Sequence, residues 1–309
     1  MKIFFATDLH ASEICFRKFC AAADFYGCDA LIMGGDVTGK LLIPIVVEDG
    51  RARYRLGGMD HRLNSNHVPS EVARIANMGY YAVVGGPEIT QEFADPVRYE
   101  ARLQKEAAIR LRSWVEYAET KLAPKGITIL AAPGNDDDPS IDPVLRDSTV
   151  FVNGEGAVTE LLGLEVASSG WSNQTPWHTP REATEEALVE RLRSIANNVR
   201  DPERAIFNFH VPPYGTPLDV CPQLDADLAV VTVMGTPVMI HAGSAAVLKV
   251  IQEYKPMLSL HGHIHESRGA TQLGRTLAVN PGSEYSEGVL LGSVIAIENG
   301  NVKYTFTAG

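Results

Sequence analysis

Two rhythms of apolar and polar residues run along this chain: short apolar runs of strand length, and longer stretches in which apolar residues recur at helical spacing. Residues 2–7 form the first apolar run. A helical pattern follows over 12–26, and a second apolar run over 29–33 leads into Gly34-Gly35-Asp36. The helix between them is long enough for a crossover, so the first two strands are expected to be parallel neighbours. Residues 43–47 and 52–56 flank Glu48-Asp49-Gly50-Arg51, a hairpin signal with Asp-Gly at its turn. Helical patterns recur at 69–78 and at 96–122, where Leu103, Ala107, Ile109, Leu111, Trp114, Val115 and Ala118 stand at near-helical spacing. Pro124-Lys125-Gly126 stops that helix, and residues 127–131 read as the next buried strand.

The second half repeats the style. Strands are expected near 150 and over 164–167, 205–209, 257–260, 276–279, 288–297 and 301–307, with helices over 180–198 and 244–254. No internal repeat, linker or low-complexity stretch interrupts the pattern. One domain over residues 1–309 is the expectation, with insertions at about 40–66 and 212–242. The first insertion offers a hairpin that could serve as a contact in a homo-oligomer.

Composition narrows the class. Of 309 residues, 45% are hydrophobic and 21% charged, ordinary for a globular protein with a sizeable core. The first seven residues carry one Lys and no small-residue cleavage site, so they read as a strand and not as a secretory signal. No apolar run reaches bilayer-spanning length, and a membrane partner is not expected. Cys15, Cys20, Cys28 and Cys221 lack metal-site or disulfide-scaffold spacing, and are expected as reduced thiols in a cytoplasmic protein. The net charge of −11, with no Lys/Arg-rich block, argues against long nucleic acid as a partner. A small phosphorylated substrate stays compatible, because bound metal ions would dominate the local charge.

The candidate chemistry sits where these runs end. Asp8-Leu9-His10, Gly35-Asp36, Gly134-Asn135-Asp136-Asp137, His210 and Gly262-His263-Ile264-His265 each close or follow an apparent strand. An α/β fold collects its ligands there, outside the carboxyl ends of the strands. Side chains two apart on an extended segment share a side, so Asp8 with His10, and His263 with His265, are expected to point together. Imidazoles, carboxylates and one amide oxygen form a mixed set suited to divalent transition metals. Each dipeptide alone is weak; the ordered series of five is not.

That series resembles the pattern of the calcineurin-like metallophosphoesterases, in which DxH, GD, GNH[DE], a later H and GHxH occur in this order. The resemblance spans residues 8–265. It implies a four-layer α/β-β/α sandwich and two divalent metal ions, one held by Asp8, His10, Asp36 and His265, the other by Asp36, Asn135, His210 and His263. Mn²⁺ is the expected ion, with Fe, Zn, Co or Ni suited to the same donors. The implied reaction is in-line displacement at phosphorus by a bridging hydroxide. A phosphodiesterase acting on small or nucleotide-like substrates is the expected function. A phosphomonoesterase, a nuclease and a non-catalytic metal-binding scaffold are the alternatives.

One position departs from the pattern. Asp136 stands where the family has a histidine that contacts the phosphate and helps protonate the leaving group. A carboxyl with an ordinary pKa of ~3.9 is ionised at neutral pH unless strongly raised, so Asp136 as a catalytic acid is one reading. The others are a partner that orients a ligand and a helix cap. His241, before Gly243-Ser244 at an apparent helix start, is the candidate substitute acid, and Arg268 the candidate substrate contact. His261 is expected in the core or behind the ligands. His61, His67 and His178 are expected to face solvent.

Overall fold

A computed structural model describes residues 1–309. Two six-stranded sheets pack face to face. The first runs, in spatial order, Asn301–Ala308, Leu291–Glu298, Lys2–Ala6, Ala30–Met33, Ile129–Ala131 and Phe151–Asn153. Lys2–Ala6 pairs parallel with Ala30–Met33, as the crossover helix Glu13–Tyr26 requires, and antiparallel with Leu291–Glu298. The second runs Gly269–Leu273, Thr276–Asn280, Leu258–Leu260, Ile206–Phe209, Leu164–Ser169 and Ala157–Leu161.

The period-2 alternation of each central strand decides the layering. Ile3, Phe5, Ile32 and Leu130 of the first sheet meet Val166, Ile206, Leu258 and Val279 of the second in one buried cluster. Their neighbours Phe4, Leu31, Met33 and Ile129 face the other way, against Phe16, Phe19, Leu111, Trp114 and Ala118 from Glu13–Tyr26 and Pro96–Leu122. On the far side Phe207 and Phe209 pack on Leu188, Leu192, Val247 and Val250 from Glu185–Ala196 and Ala245–Tyr254. Helices, sheet, sheet, helices: this is the expected four-layer sandwich.

Local signals account for many boundaries. Asp95 caps Pro96–Leu122 by accepting from the amides of Val97 and Arg98, with Pro96 at the first helical position. The Asp49-Gly50 hairpin turn has φ of 47° and 73°, both left-handed, which suits an Asn/Asp-Gly turn. One expected helix is shorter than read. Residues 180–184 stay outside it, because Thr184 accepts from Ala187 N and caps a helix at Glu185–Ala196, while Glu182–Ala183 pairs with Ser172–Asn173. The region after residue 40 is a four-stranded sheet that also takes in Met59–Asn64 and Tyr81–Gly85, so it extends beyond residue 66. No helix is long and apolar enough to cross a membrane. All four cysteines are free thiols, and Cys221 is only half-buried.

Candidate metal centre

Five parallel strands end at one place. Asp8 and His10 follow Lys2–Ala6, Asp36 follows Ala30–Met33, Asn135 follows Ile129–Ala131, His210 follows Ile206–Phe209, and His263 and His265 follow Leu258–Leu260. The extended geometry expected for Asp8-x-His10 is not what brings these side chains together. Asp8, His10, Asp36 and His263 have φ of 54°, 42°, 46° and 66°. Left-handed backbone at non-glycine residues is costly and concentrates where function over-determines it. His263 and His265 likewise do not act as a same-side pair. His265 groups with Asp8 and His10, whereas His263 groups with Asp36 and His210.

Within the first group Asp8 Oδ1 lies 3.2 Å from His265 Nε2, and His10 Nε2 lies 3.3 Å from His265 Nε2. In the second, His210 Nε2 is 3.4 Å from Asp36 Oδ2, and His263 Nδ1 is 2.8 Å from Asn135 Oδ1. Asp36 Oδ2 is also 3.6 Å from His10 Nε2, which makes Asp36 common to both groups. Two donors bound to one ion at ~2.1 Å stand roughly 3.0–3.4 Å apart, close to these separations. His210 donates Nδ1–H to the Gly34 carbonyl at 3.1 Å, while its Nε2 is buried without a hydrogen-bond partner. An imidazole nitrogen buried in this way is costly unless something binds it. These clusters of Asp and His side chains, with Asn135 beside them, are of the kind that could hold metal ions.

Charge follows from the same packing. Burial alone would push His210 down, but Asp36 and Asp8 outweigh it and raise His210 to about 10. Burial pushes Asp8 up, and His210 and His265 more than offset this, holding it low. Burial lowers His10 to about 3, with Lys40 adding to the effect, and lowers His263 to about 4, with His210 adding. Both rings are therefore neutral, as ligands must be.

Asp136 is brought to the centre. Its backbone amide donates to Asp36 Oδ1 at 3.0 Å, and its Oδ2 is 3.9 Å from His10 Nδ1, a nitrogen that is otherwise unpartnered. Burial and then Asp36 push its carboxyl up to about 8, against the pull of Lys40. Lys40, half-exposed, forms an ion pair with this carboxylate. At 3.9 Å the two groups are neighbours without a hydrogen bond, and the raised carboxyl keeps the catalytic-acid reading beside the orienting one. The helix-cap role belongs to Asp138, which accepts from Ser140 N.

His241 and Arg268 are not brought to the centre. His241 lies on the ribbon formed by Val220–Pro222 and Met239–His241, half-exposed, with Nδ1 2.7 Å from the buried Asp219 and its ring facing Tyr214. The helix it was expected to precede is capped by Ser244. Arg268 is exposed: its guanidinium stacks over Phe306 and donates to the Thr307 carbonyl. His261 is fully buried, and its Nδ1 faces the Phe209 and Val211 carbonyls on either side of His210, bracing that ligand. Of the remaining histidines, His67 and His178 are exposed, and His61 stacks on Tyr54.

Lys40, Thr179 and Glu182 are absent from the sequence-based site and connect to it, and Asp137, present there only as the end of its motif, gains a role. Asp137 is buried and accepts from the amides of Gly134, Val37 and Thr38, tying the Asp36 and Asn135 loops together. Glycine makes the close approach possible. A Cβ on Gly35, whose φ is 136°, would lie 2.2 Å from His210 Nδ1. Gly35→Ala is expected to displace His210 and cost roughly 2–4 kcal/mol, from backbone strain plus overpacking. Urea denaturation of the metal-free protein checks this.

No protein-family model matches the sequence. An uncharacterized protein of Methanocaldococcus jannaschii, MJ1162, is 31% identical over 155 residues, 50% of this chain and 63% of that protein. The match thus spans less than two thirds of that relative's length. Among solved structures, one covers 98% of both chains at 16% identity with a TM-score of 0.56. The protein TT1561 of Thermus thermophilus covers 98% of this chain and 97% of its own at 15% identity, with a TM-score of 0.53. The full-length superpositions show that this chain shares its overall fold with both. An archaeal phosphodiesterase also aligns, over 99% of this chain, at 11% identity and a TM-score of 0.42.

Proposed function

We propose that the chain is a phosphoesterase dependent on two divalent metal ions, acting on small phosphodiesters that include nucleotide-like ones. The observation that carries this is the position of Asp36 Oδ2, 3.6 Å from His10 Nε2 and 3.4 Å from His210 Nε2, so that one carboxylate serves two ligand groups. Bound ions supply Lewis acidity and an activated water at neutral pH. The chain's own residues do the rest. Asp8, His10 and His265 would hold one ion, and Asn135, His210 and His263 the other, with Asp36 between them. Asn135 adds a ligand oxygen without adding charge. Asp136 Oδ2, 3.9 Å from His10 Nδ1, is the carboxylate nearest the far nitrogen of that ring, without a hydrogen bond between them.

The cation count favours a diester. Lys40 is the one Lys or Arg paired with a carboxyl of the centre, and a single ammonium matches one phosphate charge and not two. Arg181 is buried and committed to Asp142 and the Asp137 carbonyl, and Arg268 is turned away. No free arginine is left to match the second charge of a monoester dianion. With Asp136 in place of an imidazole, substrates with good leaving groups should react best.

The test begins with the metal-stripped protein reloaded with Mn²⁺, the ion proposed from the oxygen-rich half of the donor set. Hydrolysis of bis(p-nitrophenyl) phosphate is expected to exceed that of p-nitrophenyl phosphate by at least tenfold. Faster monoester cleavage would overturn the diester reading. Turnover of neither, with two ions bound, would leave a metal-binding protein without this activity.

A further inference from the structure

Asn135 poses a problem that its own loop solves only weakly, through Asp136 Oδ1 at 3.3 Å from Asn135 Nδ2. An Asn side chain is nearly symmetric in shape, with an acceptor oxygen and a donor NH₂, and only its partners decide which end faces where. To serve a metal ion it must present Oδ1. The amide is buried, so a wrong orientation would aim two N–H groups at the cluster.

The deciding contacts come from the other half of the chain. Asn135 Nδ2 donates to Thr179 Oγ1 at 2.9 Å. Thr179 Oγ1 donates to Glu182 Oε1 at 2.7 Å. The same carboxylate accepts from Thr179 N at 2.8 Å, Thr175 N at 3.1 Å and Thr175 Oγ1 at 2.5 Å. A carboxylate that receives four donors is acceptor-only, so the single Thr179 hydroxyl proton is committed to it. Thr179 then has only lone pairs to offer Asn135. The amide must turn its NH₂ toward Thr179, and Oδ1 is left 2.8 Å from His263 Nδ1.

The turn that carries this relay is fastened to the Asn135 loop by a second set of bonds. Arg181 N donates to the Asn135 carbonyl at 3.1 Å, Arg181 Nε to the Asp137 carbonyl at 2.8 Å, and its Nη2 to Asp142 at 2.6 Å. Arg181 is only 3% exposed, and the loops are held in register by it.

We infer that Thr179 and Glu182 are positioning residues: the Glu182–Thr179–Asn135 chain selects the amide orientation that places Oδ1 in the His210/His263 ion site, and so sets the affinity of that ion and not of its neighbour. The inference rests on the two-ion reading above. Its polarity runs one way only, because each hydroxyl has a single proton to give.

The experiment is calorimetric titration of the full-length, metal-stripped protein with Mn²⁺ alone. Wild type is expected to bind two ions. Thr179→Val keeps the shape and removes the acceptor. It is expected to weaken one of the two ions by about 10–100-fold, the range for loss of a ligand's supporting partner, and to leave the other unchanged. Thr179→Ser keeps the hydroxyl and should restore both affinities. A role in packing alone would lower the melting temperature without separating the two ions. Glu182→Gln places an NH₂ among four donors, and is expected to weaken the same ion; it decides the matter if Thr179→Val does not fold. Two ions bound with wild-type affinity by a folded variant overturns the relay and leaves the two-ion reading intact. Fewer than two ions on wild type overturns both.

Discussion

Asp36→Asn is expected to reduce phosphodiester hydrolysis by about 10³-fold or more, equivalent to ~4 kcal/mol of transition-state stabilisation. The reason lies in the shared carboxylate. Asp36 Oδ2 lies 3.6 Å from His10 Nε2 and 3.4 Å from His210 Nε2, imidazoles of the two ligand groups, whereas Asp8 reaches across to His210 Nε2 only at 3.8 Å. An amide keeps the volume and can still accept from Asp136 N, the bond that Asp36 Oδ1 makes at 3.0 Å. It loses the negative charge, and only one of its two terminal atoms can face an ion. The variant should therefore fold, which circular dichroism verifies, while elemental analysis finds the protein depleted of both ions and not of one. His210→Ala and Asn135→Ala should lose activity by the same logic through one ion only. Two ions and wild-type turnover in Asp36→Asn would remove the basis of the proposed function.

Metal binding at pH 8 is expected to release at least one proton per chain, and the affinity to fall as the pH is lowered. In the metal-free protein Asp36 and Asp8 outweigh burial and hold His210 protonated up to about 10. An ion can take Nε2 only from the neutral ring, so that proton must leave. His10 and His263, lowered to about 3 and 4 chiefly by burial, have none to give at this pH. Each proton displaced makes the affinity fall about tenfold per pH unit below the relevant pKa. Calorimetry in two buffers of different ionisation enthalpy counts the protons directly, and a count of zero would contradict the charge assignment. The stability of the metal-free protein carries the same signature. A histidine raised on folding stabilises fully below its ordinary value near ~6.5, and that contribution disappears as the pH rises through about 10. Asp8 and Asp36, held low on folding, contribute above the ordinary carboxylate range and lose that contribution in acid. The metal-free melting temperature should drop between pH 7 and pH 10, and drop less once Mn²⁺ is bound.

Much of the fold was legible because its signals are local. Pro96–Leu122 has both boundaries in the sequence, since Asp95-Pro96 is a cap followed by a first-turn proline and Pro124-Lys125-Gly126 a stop. Met59–Asn64 escaped notice: Met-Asp-His-Arg-Leu-Asn has no clean alternation, being an edge strand with little to bury, and it pairs only because the preceding hairpin presents an edge. Tyr81–Gly85 was missed for a related reason, since its partner is the remote Leu42–Glu48.

The centre divides along the same line. Asp8, His10, Asp36, Asn135, His210, His263 and His265 could be named from the chain alone, because each follows an apolar run at the carboxyl end of a strand. In a parallel sheet those ends converge whatever the loops do. The sequence by itself therefore determined which candidate donors stand at strand ends, while the four layers and the two ligand sets came from the resemblance to a known family. Only the tertiary structure decided which donors group together, that Asp36 lies between the groups, that Asp136 pairs with Lys40 beside His10, and that His241 and Arg268 are engaged elsewhere. It alone brought Thr179 and Glu182, more than forty residues away, against Asn135. The physical reason is one of range. Burial and hydrogen-bond periodicity act between neighbours in the chain and leave a pattern there. Backbone turns into left-handed φ, the direction of a single hydroxyl proton and the field of a buried carboxylate depend on atoms that meet only after the two sheets have packed.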